Sequence, residues 1–184
     1  MDATWLKRKV AENINVQERT EAMIQLINDT IKTVRRIASD LRPGILDDLG
    51  LVAALEWQGT EFRNNTGLDL KFHSDGCLAE PGKNLSINVF RIYQETLTNI
   101  ARHAEAKHVN THFYCNENHI HLVVKDDGIG INLHEIGIKK SLGLIGMRER
   151  TRLFGGQILL ANNTPHGTVM TLDIPLPKTK TESL

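Results

Sequence analysis

The feature that most restricts how this sequence can fold is an abrupt change of hydrophobic period after Ala106. From about Asn84 to Ala106, the apolar residues Ile87, Phe90, Ile92, Leu97 and Ile100 are distributed over the inner surface of one long helix. Val109 to Cys115 and Ile120 to Val124 then alternate apolar with polar residues. Between them lies Asn116-Glu117-Asn118, a turn-forming triplet, so the pair reads as a β-hairpin. Two more strands are predicted at Gln157 to Ala161 and Thr168 to Pro175, joined by the turn Asn163-Thr164-Pro165-His166-Gly167. A hairpin with one apolar face must bury that face, and the preceding helix offers the cover. The expected fold class is therefore α/β: a two-layer α/β sandwich with an antiparallel-rich sheet and its helices gathered on one face, preceded by a helical bundle segment.

The remaining elements fit around this unit. Ile24, Ile27, Ile31, Val34, Ala38 and Leu41 are spaced alternately by three and four residues, the heptad signature of a helix with a narrow buried seam. A coiled-coil or bundle helix is expected there, with a solitary amphipathic helix as the alternative. Pro43 disfavours helical geometry at Arg42, and Gly44 follows, so this helix should stop there. A second helix is predicted from about Leu49 to Thr66, ended by Asn64-Asn65-Thr66-Gly67. Leu68, Leu70 and Phe72 alternate as a half-buried strand before a turn at Ser74-Asp75-Gly76. The segment from Ile131 to Gly143 reads as a mobile loop, and Leu144 to Phe154 as a short helix ended by Gly155-Gly156. The expected division is a helical segment over 1–45, a compact domain over 46–178 and a disordered tail over 179–184.

Totals limit the function classes. A chain of 184 residues accommodates one domain with a real core plus a smaller appendage, so one catalytic module is the ceiling. Lys plus Arg and Asp plus Glu number 22 each, which leaves no basic footprint for a nucleic-acid backbone or an anionic membrane. The two cysteines, Cys77 and Cys115, form no CxxC pattern; they read as small buried hydrophobes in a reducing compartment. No apolar stretch is long enough to span a bilayer, and the N-terminus is too charged for a secretory signal. No nucleic-acid partner and no membrane contact within this chain are expected.

Three short stretches carry candidate chemistry. Glu95, Asn99 and His103 are four apart within the long helix and so share one face; Lys107 follows. An amide oxygen such as that of Asn99 is a suitable hard ligand for Mg2+, although a solvated polar stripe would look much the same. Val124-Lys125-Asp126-Asp127-Gly128-Ile129-Gly130 follows a strand: a carboxylate at a strand end can accept a hydrogen bond from an exocyclic amine, and glycines let backbone approach a flat ring. An ordinary strand-end turn uses the same residue types. Gly143-Leu144-Ile145-Gly146-Met147-Arg148-Glu149-Arg150 puts glycines at a helix start, where amide hydrogens and the positive helix end favour phosphate; a simple hinge is the plainer reading.

In this order the stretches resemble the N, G1 and G2 boxes of the GHKL ATP-binding superfamily, whose nucleotide site has the Bergerat fold. The resemblance implies ATP and Mg2+ as cofactors, with Asn99 as the metal ligand and Asp126 as the adenine-recognising aspartate. It places Gly128 and Gly130 as that aspartate's glycines, and Gly143 and Gly146 as the hinge of an ATP lid that also brings Leu144 and Met147 to the nucleotide. His103 and Lys107 take positions facing phosphate, Thr168 after Gly167 supports the adenine region, and Glu95 stands where many histidine kinases have asparagine. His166 replaces a frequent glycine in the late turn. Asp40-Leu41-Arg42-Pro43-Gly44-Ile45-Leu46-Asp47-Asp48-Leu49-Gly50-Leu51-Val52-Ala53-Ala54-Leu55 resembles the junction between dimerisation helices and catalytic domain in sensor kinases of the nitrate-sensor and membrane-thermosensor type. The resemblance runs from about Ile24 to Pro177.

The family likeness implies a protein histidine kinase acting as a homodimer through its bundle helices, with a response-regulator receiver domain as partner. The implied location is the cytoplasm, or the cytosolic part of a membrane-bound sensor. In this subfamily the phosphorylated histidine lies on the first bundle helix. No histidine precedes His73 here, so the acceptor is expected upstream of Met1 and the chain alone is expected to bind ATP without phosphorylating itself. His134-Glu135 offers the acceptor dipeptide but falls in the presumed lid. His112, His119 and His121 share the polar side of the hairpin and read as structural or solvent-facing, since a metal site there needs further ligands in register. The alternatives are a GHKL ATPase in which Glu95 activates water, a serine kinase of the anti-sigma type, and a non-catalytic dimeric scaffold.

Overall fold

A computed structural model describes residues 19–27, 30, 44–75, 81–131 and 142–176. The chain divides into two compact units, Met1–Pro43 and Gly44–Leu184. In the first, residues 19–27 are helical, with Ile24 half-buried and Ile27 exposed. The other seam positions, Ile31, Val34, Ala38 and Leu41, and the stop at Pro43 lie outside the described residues.

The second unit runs α1 (Gly44–Asp48), α2 (Gly50–Thr66), β1 (Asp69–Asp75), α3 (Lys83–His103), β2 (His108–Cys115), β3 (His119–Asp126), α4 (Leu142–Arg152), β4 (Gln157–Asn162) and β5 (Thr168–Pro175). The five strands form one sheet in the order β1-β2-β3-β5-β4. Only β1 and β2 pair in parallel, as the long crossover through α3 requires; the other three pairings are antiparallel.

Period two decides what each strand face meets. Val109, Thr111, Phe113 and Cys115 of β2, Ile120, Leu122 and Val124 of β3, and Met170, Leu172 and Ile174 of β5 are all buried. They meet Val89, Phe90, Ile92, Tyr93, Leu97 and Ile100 of α3 and Leu51, Ala54, Leu55 and Phe62 of α2 in one core. Burying one such side chain contributes about 1.5–3 kcal/mol, so this shared layer holds helices and sheet together. Two polar contacts add to it, one between the layers and one between the two helices. The buried Tyr93 hydroxyl and Thr111 Oγ1 lie 3.1 Å apart across the helix–sheet boundary, and Gln94 Nε2 donates to Gln58 Oε1 of α2 at 3.2 Å.

Several boundaries differ from expectation for identifiable reasons. The strand β1 continues through Ser74 and Asp75, because both keep ladder partners in β2, Phe113 and Tyr114. Pairing overrides the local turn preference of Ser-Asp. Helix α3 ends at His103 instead of Ala106: Ala104 caps it, and Glu105 takes a φ of 53°, turning the chain into β2. Helix α4 begins at Leu142, two residues early, with Gly143 in its first turn. Helix α2 ends as the sequence indicates, on Gly67 in the left-handed conformation at φ 75°.

Candidate functional site

The alternation Ile120-Leu122-Val124 continues to Asp126, so the last residue of β3 turns its carboxylate to the helix-covered face, where it is 3 % exposed. A carboxylate so placed needs donors. Gly128 N donates to Asp126 Oδ1 at 2.9 Å and Thr168 N donates to the same oxygen at 3.1 Å. Both bonds arrive at Oδ1, which leaves the lone pairs of Oδ2 for another donor. The main chain of the same residue is also held: Asn163 Nδ2 donates to Asp126 O at 3.0 Å.

The neighbouring Asp127 points the other way and acts as a clamp. Its Oδ1 accepts from Lys107 N at 2.8 Å and from His108 N at 2.9 Å, while Oδ2 lies 2.7 Å from His108 Nδ1. The His108 backbone N–H first, then its ring, hold the Asp127 carboxyl well below the usual carboxylate range. Two adjacent aspartates thus divide the work. Asp127 fastens the end of β3 to the start of β2, and Asp126 turns to the helix-covered face.

Gly128 is required by a close approach. A Cβ there would overlap the carbonyl oxygen of Ala104 and lie 2.7 Å from its carbonyl carbon, and Ile129 N donates to that same carbonyl at 2.8 Å. The end of α3 is thereby joined to the Asp126 loop. Gly167 fills the matching role on the other side, at φ 102° with its Cα against the Asp126 carbonyl. Gly130, at φ 80°, lies beside Asn162, whose Oδ1 accepts from Ile131 N at 2.8 Å.

On α3, Glu95 and Asn99 are half-buried and His103 is exposed. Among the described residues the Asn99 side chain makes no hydrogen bond, so its amide oxygen remains available as a ligand. Gly143 of α4 lies directly against the Glu95 carboxylate: a Cβ would sit 2.9 Å from Glu95 Cδ. Leu144 and Gly146 are half-buried. Met147 enters the core, 2 % exposed, with its Sδ 3.6 Å from Thr96 Oγ1, whose hydrogen goes to Ile92 O at 2.8 Å. Its side chain ties α4 to α3. The Lys107 side chain is exposed, and its main chain belongs to the Asp127 clamp. His134-Glu135 lies outside the described residues.

Asp126, Gly128 and Thr168 therefore meet at one point, and Glu95 meets Gly143; Gly130 joins through Asn162. Sequence reasoning missed the parts of Asn163, Asp127 and Ala104, which depend on contacts between distant segments. The one available signal was the doubled aspartate at 126–127, since a strand puts consecutive side chains on opposite faces.

Residues 84–178 match a family model described as histidine kinase-, DNA gyrase B- and HSP90-like ATPase. The sensor histidine kinase MctS of Rhizobium johnstonii is 33 % identical over 171 residues, which cover 91 % of this chain and 37 % of that protein. The oxygen sensor histidine kinase NreB of Staphylococcus carnosus is 33 % identical over 166 residues, covering 90 % and 47 %. The chain thus spans less than half the length of these relatives. Among solved structures, the histidine kinase domain of the blue-light activated histidine kinase from Erythrobacter litoralis shares the fold with a TM-score of 0.61 and 20 % identity, over 95 % of this chain and 94 % of that one. The ATP binding domain of PrrB from Mycobacterium tuberculosis gives 0.57 at 20 % identity, over 67 % and 92 %.

Proposed function

Because the chain belongs to the histidine kinase-, DNA gyrase B- and HSP90-like ATPase family, whose domain binds ATP, we propose that it supplies the catalytic ATP-binding part of a two-component sensor histidine kinase. The observation that carries this reading is the buried Asp126, held through a single oxygen by Gly128 N and Thr168 N. Oδ2 is then an acceptor of fixed direction, suited to an exocyclic amine such as that of adenine. Gly128 and Gly130 let the loop after Asp126 pack closely against Ala104 and Asn162, and Thr168 keeps the carboxylate from turning away. His103, exposed at the last position of α3, and Lys107, exposed just beyond it, are on hand for phosphate oxygens, together with the positive first turn of α4. Leu144 and Gly146 follow in that helix, and Met147 seats it.

The residues present fit Mg2+. Asn99 presents an amide oxygen from a half-buried helical position, and Mg2+ prefers few hard oxygen ligands and retains waters. When bound, the ion neutralises charge on the nucleotide phosphates. Glu95 lies against Gly143, so it positions the start of α4.

In the whole kinase the γ-phosphoryl group passes to an imidazole nitrogen of a histidine outside this chain and then to an aspartate of a response-regulator receiver domain. The chain's part is to hold the nucleotide and orient the transferred group in line. Residues 1–45 serve as part of the helical dimerisation segment, 46–178 as the ATP-binding domain, and the protein works in the cytoplasm or on its face of a membrane. Incubation with γ-labelled ATP and Mg2+ tests the assignment. The chain alone should bind nucleotide and remain unlabelled, and a longer protein carrying the upstream helix should take up acid-labile label. Acid-labile label on the chain alone contradicts this placement of the acceptor.

A further inference from the structure

The solvent face of the sheet, opposite the helices and Asp126, carries a cluster that nucleotide binding does not use. Parallel pairing sets His73 of β1 directly across from His112 of β2. Asp75 lies two residues along β1, on the same face by the strand period. The two rings converge on one carboxylate: His112 Nε2 is 2.8 Å from Asp75 Oδ2, and His73 Nε2 is 3.3 Å from Asp75 Oδ1. The ring centroids are 5.4 Å apart, and one ligand atom from each of the three residues lies within 4.8 Å of the others.

The geometry points to a second cation site here, one that takes a divalent transition metal of the zinc class through His73, Asp75 and His112. Three arguments carry it. The first is donor type: two imidazole nitrogens and one carboxylate suit zinc, whereas Mg2+ demands oxygen. The second is spacing. Zinc bonds of about 2.0–2.2 Å at a tetrahedral angle put neighbouring ligand atoms about 3.3 Å apart; each ring nitrogen already lies 2.8 or 3.3 Å from an Asp75 oxygen, and all three ligand atoms fall within 4.8 Å of one another. The third is preorganisation. The ladder fixes both strand backbones, so closing on an ion asks only for side-chain rotation. All three side chains are exposed, at 74 %, 52 % and 49 %, so the fourth position falls to water.

The cluster is separate from the nucleotide site. Asp75 pairs with Tyr114 near one end of β2, and Asp126 pairs with Val109 near the other. Five residues along a strand span about 17 Å, and the two carboxylates point from opposite faces. A bound ion would therefore fasten the edge strand β1 to β2 and leave ATP binding in place.

The test uses the 184-residue chain free of nucleotide, which would itself chelate the ion, titrated calorimetrically with Zn2+, with Co2+ absorption as a spectroscopic stand-in. One Zn2+ per chain should bind, and Co2+ should develop visible ligand-field bands. His73→Ala and His112→Ala should each weaken binding at least about 10-fold to 100-fold, the loss reported for removing even an outer supporting partner; Asp75→Asn should do likewise. His121→Ala, on the same face outside the cluster, should leave the affinity unchanged. Circular dichroism verifies that each variant is folded, and its ATP affinity should match the parent's. Absence of saturable Zn2+ uptake overturns the proposal. So does uptake that survives in the His73→Ala/His112→Ala double variant, because the ion would then sit on other residues.

Discussion

Replacing Gly128 by alanine tests the junction on which Asp126 depends, and three glycines of this domain permit an internally controlled measurement. At Gly128 the added Cβ meets backbone, overlapping the Ala104 carbonyl oxygen and lying 2.7 Å from its carbon. A backbone carbonyl at the end of α3 cannot swing aside, so the loop must lift. Overpacking of this kind costs about 1–3 kcal/mol. Losing the 2.8 Å bond from Ile129 N to Ala104 O adds about 0.5–1.5 kcal/mol. The unfolded state returns about 0.4–1 kcal/mol, because alanine restricts it more than glycine does. The expected net loss is about 2–3 kcal/mol. At Gly67, φ is 75° and nothing lies within 4 Å, so only the left-handed backbone is penalised, leaving about 1 kcal/mol after the same offset. At Gly82 there is open space and a negative φ of −50°, so the change should stay within about 0.5 kcal/mol of zero. Urea titrations followed by circular dichroism give the three values. A domain stable by about 5–15 kcal/mol remains folded in each case, so ATP affinity can be read alongside and should fall most in Gly128→Ala. If Gly128→Ala is no more damaging than Gly67→Ala, the close approach of the loop to Ala104 is wrong.

Two further predictions address the supports of the site. Asp127→Ala removes three hydrogen-bond contacts to one carboxylate and, given its partial exposure, should cost about 1–2 kcal/mol near neutrality. The folded-state pKa of Asp127 is lowered, so its contribution is complete above the unfolded value of about 3.9 and disappears as pH falls through the lower folded value. Parent and Asp127→Ala stabilities should therefore converge in acid below about pH 4; a gap that widens there contradicts the clamp. Tyr93→Phe leaves the buried Thr111 hydroxyl without its 3.1 Å partner and should cost about 1–3 kcal/mol, whereas Tyr93→Phe/Thr111→Val should recover most of it. Additive losses in that cycle would show that the two groups do not interact.

Local signals served best where local physics decides. The left-handed Gly67 ended α2, the Asn116 turn closed the hairpin, and the limits of β5 followed from plain alternation. They failed where a distant partner decides. Ser74 and Asp75 look like a turn but stay extended because β2 pairs with them. Ala104 and Ala106 favour helix, yet Glu105 breaks it so that the chain can enter β2. The site follows the same division. Asp126, with Gly128 two residues on, was legible as a motif, and its burial follows from the strand period. Asn163, which holds the Asp126 carbonyl from 37 residues away, was not. The partners of His112 were also hidden: the hairpin alone offers it no ligand in register, and Asp75 reaches it only through the parallel pairing of β1, 37 residues away.

The central claim is that Asp126 presents one carboxylate oxygen to an adenine amine. Asp126→Asn isolates it, because the backbone N–H groups of Gly128 and Thr168 keep the amide oxygen inward and turn the NH2 group toward the ligand. The fold is retained while an acceptor becomes a donor. Calorimetric titration with ATP and Mg2+ should show one nucleotide per parent chain. Losing a charged hydrogen bond worth about 1.5–3 kcal/mol should weaken Asp126→Asn about 10-fold to 100-fold. Equal affinity in parent and variant, or no binding by the parent, would contradict the account.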